Sequence, residues 1–369
     1  MNSLGHAESQ ASSKTSDRRR RRLWRSVVFL PLTLLAILGL VHIILVAAGH
    51  TSLDHWGASY WSHRQSLLPC NSPACQSAPT QNVVPIPCHS HNDYWRTVPL
   101  FDALHAGCAS VEADIWLPQS LGENGTDLYV GHNGASLRRE RTLDSLYLRP
   151  IKALLEQQNA NATVCSHGNS SCSGVFGTAP NQTLVLLLDF KQDGNTLLPY
   201  VNASLQSLRE GNYLSFWDGQ NFHSRPVTVV LSGNAPTSLN ATELEIGEIH
   251  RDMFFDAPLD RLSDAARGSS SWNTSSSYYA SVSLEKTIGK VLAGKLSSKQ
   301  LNTLRSQIRT AKEKGLKARY WDTPAWPTSL RNYVWQILLD AGADILNVDD
   351  LESAAFGNWK QVRHAWGDA

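Results

Sequence analysis

The 369-residue sequence lacks two features that would mark common classes of binding protein. There is no excess of one charge, because 33 Lys and Arg against 32 Asp and Glu leave a formal net charge of +1. A nucleic-acid-binding domain is usually distinctly basic, so nucleic acid is not an expected partner. None of the six cysteines forms a Cys-X2-Cys pair, and without that spacing the sequence does not predict a structural zinc site.

A third absence concerns the first predicted strand, Val83–Cys88. No Gly-X-Gly-X-X-Gly motif follows it. Dinucleotide-binding sheets use this motif to bring their backbone close to a pyrophosphate. Its absence weakens the case for a doubly wound open sheet, which is the main alternative to the fold predicted below.

The positive charge that does cluster lies near the N-terminus. Arg18–Arg22 form an unbroken basic run, and the 22 residues Val27–Ala48 that follow are mostly apolar. Such a segment is long enough to cross a bilayer core of about 30 Å as a helix, and a basic flank is typical of the cytosolic side. A cleaved signal peptide ending near Val46-Ala47-Ala48 is the alternative. We predict a cytosolic basic tail (1–26), a transmembrane helix (27–48), a stalk (49–82) and a folded domain (83–369).

The predicted topology is that of a single-pass type II membrane protein, and glycosylation sequences agree with it. Seven Asn-X-Ser/Thr sequences all follow the apolar segment, beginning at Asn124, Asn161, Asn169, Asn181, Asn202, Asn240 and Asn273. Together they predict a glycosylated surface in the secretory pathway. The domain is therefore expected on the lumenal or extracellular side of a membrane.

The cysteines fit the same compartment. Cys70/Cys75 and Cys165/Cys172 are closely spaced pairs, and each can close a small disulfide loop where the environment is oxidising. Cys88 and Cys108 lie within strand-like sequence. We expect these two to be buried thiols, with a bond between them as the alternative.

From Val83 onward, short apolar runs alternate with helix-like stretches. Strands are predicted at Val83–Cys88, Ala109–Ile115, Thr183–Phe190, Val227–Leu231, Asp252–Phe255, Tyr279–Leu284, Leu316–Trp321 and Asp344–Val348. Helices are predicted at Val98–His105, Asn195–Arg209, Ser298–Lys314 and Ser329–Ala341, the last with Thr328 or Ser329 as its N-cap and Gly342 at its C-terminal end. This alternation predicts an α/β fold, a TIM-type (β/α)8 barrel, with functional residues at the carboxyl ends of the strands.

Polar residues do cluster at these predicted strand ends. The pairs are His89/His91, Glu112/Asp114 and Asp189/Lys191, and His132 returns toward the second strand on a short extra strand, Asp127–His132. Residues two apart on a strand face the same side, so both members of a pair can point into the barrel mouth. Any one of these residues has a structural explanation, such as an internal ion pair. Their joint occurrence at successive strand ends favours a functional site.

The chemistry of these residue types points to phosphoryl transfer. Three carboxylates suit a hard divalent cation. Two histidines suit acid and base catalysis near neutral pH. A lysine beside them can neutralise a phosphoryl oxygen in the transition state. Charge stabilisation and positioning make up most of the catalysis in such reactions.

The same residues resemble a known group of enzymes. The runs HSHNDYWRTVPLFDALHAGCASVEADIWL, YVGHNG, LLLDFK, RYWDTP and GADILNVDDL resemble the PLC-like phosphodiesterase superfamily, which includes glycerophosphodiester phosphodiesterases and sphingomyelinase D-like toxins. Within it the chain is most similar to the fungal altered inheritance of mitochondria protein 6 family. The resemblance implies a distorted TIM barrel that binds one divalent cation, Mg²⁺ or Ca²⁺.

The resemblance also implies a role for each matching residue. It implies His91 and His132 as the catalytic histidines, with His89 as a reserve for the first, and Lys191 as the characteristic lysine of the toxin-like branch. Glu112, Asp114 and Asp189 match the metal carboxylates, and Trp321 matches an aromatic residue that lines the site. Two departures from the glycerophosphodiesterase motifs weaken the expectation of that specificity. His-Arg-Gly is replaced by His91-Asn92-Asp93, and Glu-Asn-Thr is missing.

The sequence therefore predicts a membrane-anchored, metal-dependent phosphoric diester hydrolase that acts on a phospholipid or a glycerophosphodiester-like substrate. One alternative is a catalytically inactive barrel that binds a phospholipid headgroup or a protein partner. Another is a glycoside hydrolase that uses Glu112 and a second carboxylate. The glycoside hydrolase leaves the two histidines and Lys191 without roles.

Overall fold

The computed structural model of the protein describes residues 31–40, 79–117, 127–160, 172–236, 251–263, 272–291 and 295–356. The chain divides into two compact units, Met1–Gln76 and Ser77–Ala369. In the first unit, helix α1 is described over residues 31–40, with its side chains exposed. No helix in the described part of the chain combines the length and the apolar content that a membrane crossing needs. The tail, most of the stalk and the rest of the predicted segment 27–48 lie outside the described residues.

The second unit alternates strands and helices. Its strands are β1 (Ile86–Ser90), β2 (Cys108–Trp116), β3 (Tyr129–Val130), β4 (Leu184–Phe190), β5 (Phe216–Trp217), β6 (Phe222–His223), β7 (Val227–Gly233), β8 (Met253–Pro258), β9 (Ser277–Ser283), β10 (Lys317–Trp321) and β11 (Ile345–Val348). Its helices are α2 (Phe101–His105), α3 (Arg149–Gln158), α4 (Gly194–Ser204), α5 (Gln206–Glu210), α6 (Leu284–Ile288), α7 (Ser298–Glu313), α8 (Thr328–Asp340) and α9 (Leu351–Ala355).

Eight of these strands form a closed parallel barrel of the TIM type. The order around it is β1-β2-β4-β7-β8-β9-β10-β11, and β1 closes the ring by pairing with both β2 and β11. Strand β3 lies outside the ring and pairs with β2 in the antiparallel direction. The predicted barrel and its eight strands are therefore confirmed. The extra strand predicted over 127–132 is shorter than expected, Tyr129–Val130, and His132 follows its end.

Two apolar layers hold the barrel together. Alternate residues of each strand face opposite sides, so on β2 Val111, Ala113 and Ile115 belong to the large core between the barrel and the helices. A second, smaller cluster fills the inside of the barrel: Val185, Leu187, Val230, Tyr279 and Ile345. This inner plug closes the barrel below its mouth, as expected for a packed rather than a hollow TIM barrel.

The ends of two helices, α7 and α8, can be compared with what their sequences favour. Helix α7 begins at the N-cap Ser297, whose hydroxyl accepts a hydrogen bond from the Gln300 amide while the Gln300 side chain reaches back, a complete capping box. The predicted N-cap of α8 was wrong. The N-cap is Pro327, and it makes no side-chain cap bond. The fixed φ of proline allows a helix to start without such a bond. The predicted Gly342 after its end is confirmed, with a φ of 90°.

The cysteines required another correction. Cys88 and Cys108 form a disulfide and are not buried thiols, because β1 and β2 are neighbours in the barrel and bring the two side chains together. Cys172 is also disulfide-bonded. The described residues that follow Cys172, 173–179, are buried over part of their length, since Val175 and Phe176 are fully enclosed.

Candidate functional site

Above the inner plug, every barrel strand contributes an inward polar side chain. Going around the barrel these are His89, Glu112, Asp189, Ser232, Asp256, Ser281, Arg319 and Asn347. Such a ring at the carboxyl ends of the strands is where TIM barrels hold their functional groups. The ring divides into two sides that differ in chemistry.

The three predicted metal carboxylates come together. Asp114 on β2 and Asp189 on β4 are register partners, and with Glu112 they offer oxygen atoms that all lie within 4.8 Å of one another. A carboxylate cluster of this size is suited to a hard cation such as Mg²⁺ or Ca²⁺.

Two observations test whether this cluster fits a cation. The Oδ1 atom of Asp114 is buried and has no hydrogen-bond partner in the described part of the chain, and a buried unpaired oxygen calls for a ligand. Gly233 on β7 lets the Asp189 carboxylate lie against the backbone, because a Cβ at Gly233 would lie 1.9 Å from Oδ1 of Asp189. The all-oxygen donor set and the orphaned atom fit a divalent cation.

Lys191 provides an internal positive charge at this cluster. Its Nζ lies 2.9 Å from Oδ2 of Asp114 and 3.1 Å from Oδ2 of Asp189. Burial lowers the pKa of Lys191, but the two carboxylates outweigh that effect and raise it above its usual value. Lys191 is therefore a cation at neutral pH, as the predicted role requires.

Burial also perturbs the carboxylates. It raises the pKa of Asp114 to about 6 despite the charge of Lys191, and it raises the pKa of Asp189 as well. At Glu112 burial acts in the same direction, but the hydrogen bond from His89 and nearby positive charges lower the pKa below its ordinary value. Raised pKa values in a cluster of acids are a mark of functional sites.

The first predicted histidine, His91, stands directly beside the carboxylates. Its Nδ1 lies 2.7 Å from Oδ1 of Asp349 and its Nε2 lies 3.9 Å from Oε2 of Glu112. The side chain is 29% exposed, so a substrate can reach it. Burial lowers the pKa of His91, but the hydrogen bond to Asp349 and the charge of Glu112 give a net upward shift.

His89, the reserve residue, has a different environment. It is fully buried, with Nδ1 2.6 Å from Oγ of Ser110 and Nε2 3.4 Å from Oε2 of Glu112. Burial, helped by the charge of Arg319, lowers its pKa to about 4. A neutral, enclosed imidazole suits the task of orienting Glu112, which favours His91 over His89 for proton transfer.

His132, the second predicted histidine, lies on the other side of the carboxylates. Its Nδ1 is 3.4 Å from Oδ2 of Asp114 and 3.1 Å from the hydroxyl of Tyr94. The side chain is about half exposed, at 49%, and its ring lies 5.1 Å from that of Trp95. The structure therefore brings all six predicted site residues to one mouth of the barrel.

Tyr94 is a functional candidate that sequence reasoning did not single out. Its hydroxyl lies 2.7 Å from Oδ2 of Asp114 and 2.6 Å from Oδ1 of Asn92, in addition to the contact with His132. Burial and the charge of Asp114 raise the pKa of Tyr94, so the hydroxyl keeps its proton. The signal was present, because Tyr94 belongs to the His-Asn-Asp-Tyr unit that carried the resemblance.

The turn after β1 explains why this unit has its sequence. Asn92 adopts a left-handed conformation with a φ of 47°, which asparagine tolerates better than most residues. In this turn the backbone N–H of Asn92 donates a hydrogen bond to Oε2 of Glu112, 3.2 Å away. Asp93 points away from the mouth and accepts hydrogen bonds from Ser90 and from the Leu100 amide. Asp93 holds the turn rather than a substrate.

The opposite side of the ring is a hydrogen-bonded network that the sequence did not reveal. The Arg319 guanidinium donates to Oδ1 of Asn347 at 2.7 Å, to Oγ of Ser281 at 3.0 Å and to Oδ2 of Asp256 at 3.4 Å. Arg319 is only 4% exposed. Trp321, the predicted aromatic lining residue, is partly exposed at the end of the same strand, with Nζ of Lys286 5.5 Å from its ring centre.

Comparison with known proteins identifies a family for this chain. Residues 77–256 match the family described as the AIM6-like phosphodiesterase domain. The altered inheritance of mitochondria protein 6 homolog of Arthroderma benhamiae is 39% identical over 285 residues, which cover 74% of this chain and 84% of that protein.

Two further relatives have similar coverage. Altered inheritance of mitochondria protein 6 of Eremothecium gossypii is 39% identical over 279 residues, 72% of this chain and 68% of that protein. The Saccharomyces cerevisiae protein of the same name is 36% identical over 306 residues, 74% of this chain and 71% of that protein. The resemblance seen in the sequence is confirmed, and the chain belongs to the altered inheritance of mitochondria protein 6 family, whose domain is of the AIM6-like phosphodiesterase type.

Proposed function

We propose that this protein is a metal-dependent phosphoric diester hydrolase that acts on a phospholipid or a glycerophosphodiester-like substrate. The observation that carries the proposal is the meeting of three carboxylates, two accessible histidines and one lysine at a single barrel mouth. The match to a phosphodiesterase-type domain supports the reaction class. No glycosidase role is needed to account for any of these residues.

The carboxylates of Glu112, Asp114 and Asp189 would hold the divalent cation, Mg²⁺ or Ca²⁺. When bound, such a cation would polarise a phosphoryl oxygen and reduce its negative charge. Lys191 is already placed between Asp114 and Asp189, from where its ammonium group can approach a second phosphoryl oxygen.

The two histidines divide the proton transfers between them. One takes the proton of the attacking oxygen, which belongs to water or to a neighbouring substrate hydroxyl, and the other gives a proton to the leaving oxygen. Asp349 holds Nδ1 of His91, so Nε2 of His91 faces the carboxylates and the substrate. Tyr94 and Asp114 hold Nδ1 of His132 in the same way, which leaves its Nε2 free for the reaction.

We also propose that the barrel is anchored to a membrane by residues 27–48 and faces the lumenal or extracellular side as a type II protein. Two observations support that side. The disulfide between Cys88 and Cys108 suits an oxidising compartment. Asn181, the first residue of one glycosylation sequence, is exposed and thus accessible to a glycan.

A second candidate function is a barrel that binds a phospholipid headgroup without turnover. One contact favours it: the Lys191 ammonium group bridges Asp114 and Asp189 and can neutralise them without a metal. The replacement of His-Arg-Gly by His91-Asn92-Asp93 also favours binding without turnover.

The test is a panel of phospholipids and glycerophosphodiesters incubated with the purified full chain and Mg²⁺ or Ca²⁺. We expect at least one substrate to be cleaved, with His91→Ala and His132→Ala both losing that activity. Binding of the panel without cleavage would support the second candidate instead. Full activity in both histidine variants would overturn the assignment of the site.

A further inference from the structure

Large apolar side chains are exposed at the rim of the candidate site. Trp95 is 62% exposed and Val98 is 42% exposed, both on the loop that follows β1. Trp326 is 71% exposed on the loop that follows β10. Burying such side chains is normally favourable, so their exposure at a functional mouth calls for an explanation.

The two tryptophans border the same opening. Their loops leave the carboxyl ends of β1 and β10, which are separated in the barrel only by β11, so the loop bases are about 10 Å apart at the usual strand spacing. The Trp95 ring centre lies 5.1 Å from that of His132. Whatever covers these tryptophans therefore also covers the entrance to the candidate site.

Four exposed lysines follow the neighbouring strand of the barrel. Lys286, Lys290, Lys295 and Lys299 follow β9, the neighbour of β10, and all four are exposed. Between Leu284 and Gln300 they face a single acidic residue, Glu285, which lies 3.6 Å from Lys290. This stretch is therefore distinctly positive, and Lys286 lies 5.5 Å from the ring centre of Trp321, at the end of the strand from which the Trp326 loop leaves.

We propose that Trp95, Val98, Trp326 and these four lysines form a rim surface that binds an anionic phospholipid bilayer. Tryptophan prefers the boundary between headgroups and acyl chains, and lysine is attracted to anionic lipids. Basic residues beside exposed tryptophans are the pattern of proteins that lie on membranes. The inference rests on the proposed function and narrows it, because a mouth pressed against a bilayer takes its substrate from the membrane.

The first test measures binding without relying on turnover. The full chain is reconstituted, barrel outward, in phosphatidylcholine vesicles with or without phosphatidylserine, and amide hydrogen exchange is followed in the loops around Trp95 and Trp326. We expect exchange at least about fivefold slower with phosphatidylserine, since each lysine near an anionic surface contributes about that factor. Equal exchange in the two vesicle types would overturn the inference, as would protection that depends only on protein concentration and so reports self-association.

Matched variants sharpen this test. Trp326→Ala and Lys299→Glu should each reduce the protection. Lys312→Glu is the control, because Lys312 is exposed near the opposite end of α7, and that end of the helix lies away from the mouth. If Lys312→Glu reduces protection as much as Lys299→Glu, the effect is one of net charge and the rim surface is wrong.

The second test separates the inference from the proposed function. The ratio of turnover on a vesicle-borne phospholipid to turnover on a water-soluble phosphodiester is compared between wild type and Trp326→Ala with Lys299→Glu. We expect this ratio to fall at least tenfold, whatever happens to catalysis itself. An unchanged ratio overturns the rim surface and leaves the phosphodiesterase standing. Protection on anionic vesicles without turnover of any phosphodiester would contradict the proposed function. It would also contradict the claim that the site takes its substrate from the membrane.

Discussion

The two sides of the barrel mouth both carry polar residues, but these residues lie in different environments. We call the side formed by β1, β2 and β4 the reactive wall and the side formed by β8, β9, β10 and β11 the supporting wall. In the supporting wall Arg319 is 4% exposed and bonds Asp256, Ser281 and Asn347. In the reactive wall a histidine such as His132 is half exposed, and three carboxylates lie together with Lys191 between two of them.

This difference shows how the residues that can bind a ligand are told apart from the residues that only fix the shape of the site. Buried polar groups that satisfy one another fix the shape of a site and have little left to offer a substrate. Groups that stay accessible, as His91 and His132 do, are the ones able to bind a ligand. By this criterion the reactive wall carries the reaction and the supporting wall holds its geometry.

The largest expected effect is loss of the second histidine. His132→Ala should lower turnover by about 10²–10⁴-fold, the usual contribution of a positioned acid or base. The measurement is kcat/KM on the substrate identified by the panel. His223→Ala is the matched control, because His223 is a similarly exposed histidine that pairs with Asp218 on the β5–β6 hairpin. Equal losses in the two variants would remove His132 from the reactive wall.

The next prediction concerns the supporting wall. Arg319→Met removes the cation that faces the buried Asp256, and breaking a buried pair in this way costs about 3–5 kcal/mol of unfolding free energy. Urea unfolding of wild type and variant measures this change. The turnover of the folded fraction should fall by much less than in His132→Ala. A variant of normal stability that has lost its activity would place Arg319 in the reactive wall.

A smaller effect is expected at Tyr94. Tyr94→Phe keeps the buried ring but removes the hydroxyl that joins Asp114 to His132. One hydrogen bond to a charged group is worth about 1.5–3 kcal/mol, so we expect turnover to fall by about tenfold or more with KM nearly unchanged. A rise in KM at constant kcat would instead show that Tyr94 acts in substrate binding.

The smallest effect is a change in pH dependence. The hydrogen bond and charge of Asp349 raise the pKa of His91, so Asp349→Asn should lower that pKa. Whether His91 acts as acid or base, the limb of the pH–rate profile that reports it must then move to lower pH. An unmoved profile in Asp349→Asn would show that His91 does not set either limb.

Much of the reactive wall could be predicted from the sequence because local patterns encode it. Apolar strands ending in His91, Glu112, Asp114 and Asp189 are visible as short motifs, and the topology of a parallel barrel places all strand ends at one mouth. The eight strands were predicted to within a few residues for the same reason. Periodicity and strand ends are local properties.

The features that could not be predicted depend on which strands become neighbours. Arg319 reads as an ordinary charged residue until β8, β9 and β11 surround it with partners. The bond between Cys88 and Cys108 follows from the pairing of β1 with β2, which spacing in the sequence does not specify. Tyr94 reaches His132 across 38 positions of the chain. Such contacts arise only when the barrel closes.

The central claim is that the reactive wall cleaves phosphodiesters with the help of a divalent cation held by Glu112, Asp114 and Asp189. The most direct test is turnover of the substrate from the panel as a function of free Mg²⁺ or Ca²⁺, starting from the chelated full chain. We predict no turnover without the cation, saturable recovery when it is added, and no recovery in Asp114→Asn. Full turnover after chelation, or normal recovery in Asp114→Asn, would contradict this account.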